Sequence, residues 1–204
     1  YDAEVAGFDM KMRMGLWIDK MFRRKLYQYM DAVVTFSDAR NIFGQQTINI
    51  SNGVDFDSIP LHQYNGNKTR DIHLIGVAEV HYWHGYDRIL AGMGEYYKRT
   101  LQGRQVFFHI VGGIHPAYMN DASRPYHGYK SMIEQYGIAD KVLFHGQLFG
   151  EQLDDVFNQC QFAIGSLGRH RSGITVIKTL KNREYATRGI PFIYSEQDSD
   201  FDHQ

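Results

Sequence analysis

From Asp71 onward the chain alternates between short apolar runs and longer segments of helical period, and this alternation is what most constrains its fold. "DIHLIGVA" (71–78), "QVFFHIVGG" (105–113), "KVLFHG" (141–146), "QFAIGS" (161–166) and "IPFIYS" (190–195) read as strands. The helical segments are "YDRILAGMGEYYKRTL" (86–101), "YHGYKSMIEQYGI" (126–138), "GEQLDDVFNQC" (150–160) and "ITVIKTLKNREYATR" (174–188). Continuous apolar strands separated by helices predict an α/β fold, a parallel sheet covered on both faces. Such sheets take ligands outside the carboxyl ends of their strands. The segments to search are therefore the strand-to-helix loops at 76–88, 111–125, 144–150 and 165–173.

The first third reads differently. Residues 10–31 predict a helix in which Met14, Ile18, Met21, Leu26 and Met30 recur near helical spacing with Lys and Arg between them. "AVVTFS" (32–37) and "TINISNGVD" (47–55) read as strands, with "DARNIFGQQ" (38–46) as a short helical turn and Asn52-Gly53 as a tight turn. Pro60, Asn65, Gly66 and Asn67 fall without period and mark a linker. This divides the chain into 1–52, 53–70 and 71–204. It starts at Tyr1 rather than Met and stops at "SEQDSDFDHQ", in what reads as a loop; both ends are expected to continue in a longer protein.

Charge and cysteine usage narrow the class. The formal net charge is -1, so no global field draws in DNA or RNA, and no nucleic-acid partner is expected. Cys160 is the single cysteine, so no internal disulfide forms and a reducing, cytoplasmic compartment is expected. The apolar runs fall short of the roughly 20 residues that span a bilayer. The basic amphipathic pattern at 10–31 offers either peripheral contact with the inner face of an anionic membrane or a solvated cationic face over a missing core.

Four readings of the loops follow. In 165–173, Ser172-Gly173 is expected at a helix start, where free N–H groups and the helix dipole favour an anion; Arg169, His170 and Arg171 add donors. An ordinary polar loop with a Ser cap explains the same residues. Glu184 falls on one face with Ile177, Leu180 and Lys181, beside the buried stripe, and needs a partner there. That partner is Lys181 or Arg188 on the same helix, or the vicinal diol of a ribose, whose two hydroxyls a carboxylate accepts. Gly112-Gly113 permits close approach of a ligand or simply a tight turn. His81 and His84 stand three apart without a third ligand at metal spacing, so no metal site is expected, and His84 is better placed as a donor to phosphate or sugar.

Taken in order, "VVTFS…INISNGVD", "HLIGVAEVHYWHGYDRIL", "FFHIVGG", "KVLFHGQLFGEQLDDVFNQCQFAIGSL" and "LKNREYATRGIPFIYS" resemble two-domain (GT-B) glycosyltransferases of the large family-4, or "group 1", kind, over residues 32–195. "WHGYDR" with "LK-x-REY-x-x-x-GIPF" resembles bacterial surface-polysaccharide transferases. The resemblance implies a Rossmann-like nucleotide-sugar-binding domain at 71–204, truncated at its end. Residues 1–52 would be the end of the N-terminal acceptor domain and the crossover, and 53–70 the linker. It implies a metal-independent, retaining transfer from a UDP- or GDP-type sugar, with no other cofactor, to a glycan or lipid-linked acceptor in polysaccharide synthesis. Glu184 matches the second Glu of the family's Glu-x7-Glu motif and would hold the ribose. Gly112 and Gly113 would line the sugar-diphosphate pocket, and the backbone at Gly146 and Gln147 would meet the base. The family's first Glu falls at Val176, and its first-loop Arg and Lys fall near Ala78 or Glu79 and at His84. The diphosphate clamp must then be rebuilt from Arg171, Lys178 or Lys181 with His84. Two other classes compete: a sugar-nucleotide epimerase, and a non-catalytic domain that binds a nucleotide or a partner protein.

Overall fold

The computed structural model describes residues 9–64, 70–100 and 103–201. The linker residues Asn65, Gly66 and Asn67 and the end of the predicted 86–101 helix at Leu101 lie outside them. Strands β4 (Ile72–Val77), β5 (Val106–Val111), β6 (Val142–Gly146), β7 (Phe162–Ile164) and β9 (Phe192–Ile193) form one parallel sheet in the order β6-β5-β4-β7-β9. Helices α2 (Tyr86–Arg99), α4 (Tyr129–Tyr136), α5 (Glu151–Gln159) and α6 (Leu180–Arg188) connect them, and a five-residue helix α3 (Pro116–Asn120) interrupts the loop after β5. This is a Rossmann-like sheet, as the alternation predicts. Its strand order reverses between β4 and β7.

Two cores sit on opposite faces of the sheet. On one, Tyr86, Leu90 and Met93 of α2 and Tyr129 and Ile133 of α4 pack against Phe108 and Ile110. On the other, Val156 and Phe157 of α5 and Tyr185 of α6 pack against Ile75, Val111 and Ala163. Cys160 lies in this second core, and burial pushes its thiol up to about 12. It is a small packing residue with no thiolate at neutral pH.

The largest departure from the sequence reading concerns residues 174–188. Only Leu180–Arg188 is helical, while Val176–Ile177 is a short strand, β8, paired in parallel with β10 (Gln197–Asp198). Ile174, Thr175, Val176, Ile177 and Thr179 are β-branched and favour extended backbone, and β10 completes their pairing. Ile177 therefore does not share a helical face with Glu184.

In the first third, α1 (Met10–Leu26) starts at Asp9, whose side chain accepts from the Met12 N–H at 2.8 Å, and ends in a single 3-10 turn over Tyr27–Tyr29. Trp17, Met21 and Phe22 are exposed along it. β1 (Val33–Thr35) pairs in parallel with β3 (Gln45–Asn49). The segment predicted as a helical turn is instead a hairpin: β2 (Asn41–Ile42) runs antiparallel to β3 across Phe43-Gly44, both at positive φ. Such a turn matches the twist of a two-residue hairpin. Gly53 takes no left-handed backbone, and Asn52 is used otherwise: its amide donates to the Lys178 carbonyl. The segment before residue 65 is irregular but attached, with the His62 N–H donating to the Arg188 carbonyl at 2.7 Å and the His62 ring 2.8 Å from the Cys160 carbonyl.

Three histidines cross the sheet in a hydrogen-bonded row. His73 Nδ1 lies 2.8 Å from His109 Nε2, and His109 Nδ1 lies 3.0 Å from His145 Nε2. Burial, then the neighbouring His145 and His73, lower His109 to about 4. Between pH 4 and the ordinary value near 6.5 the unfolded chain thus holds a proton that the folded chain does not, and stability falls as the pH falls through that window. Thermal melts from pH 7 to 4 should show this loss, with a slope near pH 5 of about 1 kcal/mol per pH unit from His109. His109→Phe should flatten that slope.

Candidate functional site at the reversal of strand order

β4 and β7 pair only at Leu74–Phe162 and Ile75–Ala163, and then part. Tyr185 from α6 fills the opening: its hydroxyl accepts from the Val77 N–H at 3.1 Å and donates to the Ile164 carbonyl at 3.3 Å. The loops that follow β4 and β7 cross above it. The Leu167 N–H donates to the His84 carbonyl at 3.0 Å. Gly85, in left-handed backbone at φ 69°, faces the Leu167 carbonyl carbon so closely that a Cβ would stand 2.7 Å from it. Only glycine meets both demands at the start of α2.

Arg171 locks the crossing. Its guanidinium pairs with both Asp87 oxygens, at 2.7 and 2.9 Å, donates to the Tyr82 carbonyl at 2.9 Å, and stacks 3.7 Å from the Tyr126 ring centroid. Asp87 thus neutralises its charge and three of its five donors are engaged within the fold, which gives Arg171 a structural role in place of the expected diphosphate contact. Lys178 is likewise engaged, donating to Asn49 Oδ1 at 3.0 Å and lying 3.9 Å from Asp200. It ties the end of β8 to the end of β3.

Lys181 is the exception. It sits in the first turn of α6, with Nζ cut off from solvent and, among the described residues, without a hydrogen-bond partner. Nζ stands 5.9 Å from the centroid of the Tyr86 ring. Burial and then the charge of Arg169 lower its pKa to about 7. Desolvation, a like charge and the positive end of a helix all oppose a cation here. Beside it, His84 Nδ1 accepts the His81 N–H at 2.9 Å, so the ring proton sits on Nε2. Burial first, then Lys181, His81 and Arg169, push His84 down to about 2, so it is a neutral donor at any physiological pH. Arg169 completes the group. Its Nε is buried without a partner, and its guanidinium lies 5.2 Å from the centroid of Trp83, which stacks on His81 at 4.3 Å. Among the described residues no carboxylate forms an ion pair with the buried ammonium.

The other residues singled out in the sequence are placed as follows. Glu184 meets Arg188, at 2.9 and 3.0 Å, and Arg188 also pairs with Asp154 at 2.7 Å over the Phe157 ring. Of the two same-helix partners expected for Glu184, Lys181 and Arg188, it is Arg188 that pairs with it, through Oε1 alone. Ser172 and Gly173 close a 3-10 turn rather than open α6, and the buried Ser172 hydroxyl donates to the Arg169 carbonyl at 2.8 Å. No helix dipole points at them. Gly112 runs so close to Ala78 that a Cβ would collide with its carbonyl, and its N–H donates to the Gly146 carbonyl at 2.6 Å. Gly146 and Gln147 are exposed at the carboxyl end of β6. Val176 is 45% exposed. Among the described residues no group of three or more His, Cys, Asp or Glu is placed to hold a metal ion. The structure thus places His84 beside Lys181 and sets Gly112-Gly113 against Ala78 and Glu79 of the loop that carries His84, and it leaves Arg171, Lys178 and Ser172 in structural roles. The enclosure of Lys181 and the packing of Arg169 on Trp83 had no signature in sequence spacing.

No family model matches this chain, and no curated protein matches it either. Solved structures do. Sucrose-phosphate synthase from Thermosynechococcus elongatus aligns with a TM-score of 0.61 at 18% identity, over 96% of this chain and 46% of its own. S. aureus TarM, in a structure with Fondaparinux, alpha-GlcNAc-glycerol and UDP, aligns at 0.62 and 15% identity, over 91% and 34%. Anabaena HepE, in complex with UDP and glucose, aligns at 0.58 and 15% identity, over 88% and 48%. The chain spans between a third and a half of the length of these structures. Lys181 and His84 lie where the sheet reverses its order, and the chain has the fold of the GT-B glycosyltransferases.

Proposed function

We propose that this chain is the donor-binding half of a glycosyltransferase that moves a sugar from a nucleoside-diphosphate sugar to a glycan or lipid-linked acceptor, in the synthesis of a bacterial polysaccharide. The observation that carries the reading is Lys181, a buried ammonium without a counter-ion among the described residues, beside His84 at the strand-end loops. A diphosphate supplies the missing charge. As the glycosidic bond to the sugar breaks, the leaving diphosphate gains negative charge. Lys181, Arg169 and the Nε2–H of His84 are preorganised to stabilise it. In this reading side chains supply the positive charge, without a metal, and the sugar keeps its anomeric configuration. UDP is the first nucleotide to test, because the TarM and HepE structures carry it. The acceptor and the opposing wall of the cleft belong to a first domain, so this chain alone is expected not to turn over. Residues 10–31, with Trp17 and Phe22 exposed beside Lys20 and Lys25, would contact an anionic membrane face.

The test is calorimetric titration of the protein with UDP, GDP and ADP in the presence of EDTA, beside Glu184→Ala. Selective binding of one nucleotide supports the reading; no binding of any by the intact protein ends it. If a ribose takes one Glu184 oxygen while Arg188 holds the other, Glu184→Ala weakens the nucleotide about tenfold. Unchanged affinity would reduce Glu184 to its ion pair. A second reading, a nucleotide-binding domain without transfer, is favoured by Val176 and by the Glu184–Arg188 pair; binding without turnover in the intact protein would select it.

A further inference from the structure

Glu79 stands on the loop after β4, and its carboxylate lies over Gly113 at the end of β5. A Cβ on Gly113 would collide with that carboxylate, with Oε1 only 2.8 Å away. Two backbone hydrogen bonds hold the flanking residues in place: the Ala78 N–H donates to the Val111 carbonyl at 2.9 Å, and the Val80 N–H to the Gly113 carbonyl at 2.8 Å. Val80 and Ile114 continue this pairing as a parallel bridge. Glu79 is exposed, and among the described residues no Lys or Arg forms an ion pair with it. Its charge reaches His81, the ring that stacks on Trp83 beneath Arg169.

The loop after β4 therefore carries opposite charges along its length. Glu79 lies over Gly113, His84 lies beside Lys181 and Arg169, and His81 between them feels both Glu79 and Arg169. A phosphate is repelled at Glu79, whereas neutral hydroxyls donate to it. We propose that Glu79 accepts hydrogen bonds from hydroxyls of the donor's sugar, so that it sets the direction in which the donor lies and favours the sugar nucleotide over the free nucleotide. This rests on the reading of Lys181 as the phosphate anchor.

The experiment compares wild type, Glu79→Gln, Glu79→Ala and Gly113→Ala in the intact protein by calorimetry. The probes are UDP, GDP, UDP-glucose, UDP-N-acetylglucosamine and GDP-mannose. Gly113 has no positive φ, so alanine there leaves the backbone unstrained and displaces only the carboxylate. Melting curves check that each variant is folded. The expected result is that Glu79→Ala leaves the free nucleotide unchanged or tighter. Glu79→Ala and Gly113→Ala should both weaken the matching sugar nucleotide tenfold or more, with Glu79→Gln between. Equal weakening of nucleotide and sugar nucleotide, or no dependence on Glu79 for any sugar nucleotide, overturns the inference alone. A wild type that binds none of the five probes overturns the phosphate-anchor reading, and this inference with it.

Discussion

Lys181→Met is expected to remove nucleotide-diphosphate binding and at the same time to raise the melting temperature. The two effects have one cause. In the protein without ligand the ammonium is buried without a partner, pressed by Arg169 and set in the first turn of α6. Its pKa of about 7 lies below the value near 10.4 of the unfolded chain, so between those two values the unfolded state holds the extra proton. Stability therefore rises with pH from 7 to 10.4, and below 7 the protein carries the full cost of the buried charge. Methionine removes that cost and keeps the packing on Tyr86. A gain of about 2 kcal/mol, or roughly 4–8 °C, is expected at pH 7. The same change should cost about 100-fold in affinity for the diphosphate, the scale of a charge-assisted hydrogen bond lost from a buried site. In the wild type, affinity should fall as the pH rises above 7 and Lys181 loses its proton, with proton uptake on binding visible as a buffer-dependent heat. A methionine variant that is less stable than wild type, or that binds as well, would contradict both halves.

Arg171→Met should behave in the opposite way. Arg171 and Asp87 form a bidentate pair, both largely buried, where the two strand-end loops cross. Removing the guanidinium leaves Asp87 without its counter-charge and frees the Tyr82 carbonyl, at a cost of about 3–5 kcal/mol. Asp87→Asn should cost less, because the amide still accepts one of the two hydrogen bonds. A double-mutant cycle between the two positions should give a coupling of about 1–3 kcal/mol. Nucleotide affinity should fall alike in Arg171→Met and Asp87→Asn, because each only loosens the loops that hold His84 and Arg169. A direct phosphate contact would instead make the arginine variant lose binding at unchanged stability, with Asp87→Asn binding as wild type.

Much of this molecule was legible in its sequence. Five apolar runs separated by helical ones gave the parallel sheet, because a strand buried on both faces has no polar side to show and needs a crossover to run parallel. The same logic pointed to the loops at the carboxyl ends of the strands, where His84 and Gly112-Gly113 lie, with Lys181 packed beside His84. The first turns of the 174–188 segment were misread because helical period and β-branched extension overlap in "ITVIKT", and only pairing with Gln197-Asp198 decides between them. The hairpin at Phe43-Gly44 escaped for a similar reason: its strand partner is supplied by the fold.

What the sequence by itself determined is the sheet, its two apolar faces and the set of charged residues that could reach its edge. It could not say which of those charges are spent. Arg171, Lys178, Lys181 and Arg188 are equivalent as letters, and each could have faced a ligand. Only the tertiary structure put Asp87 against Arg171, Asn49 and Asp200 beside Lys178, and Glu184 with Asp154 around Arg188, while giving Lys181 nothing but an aromatic ring and two basic neighbours. The physical reason is that the free energy of a charge depends on what surrounds it within a few ångströms. Those surroundings are assembled from segments up to more than a hundred residues apart, such as Lys178 and Asn49.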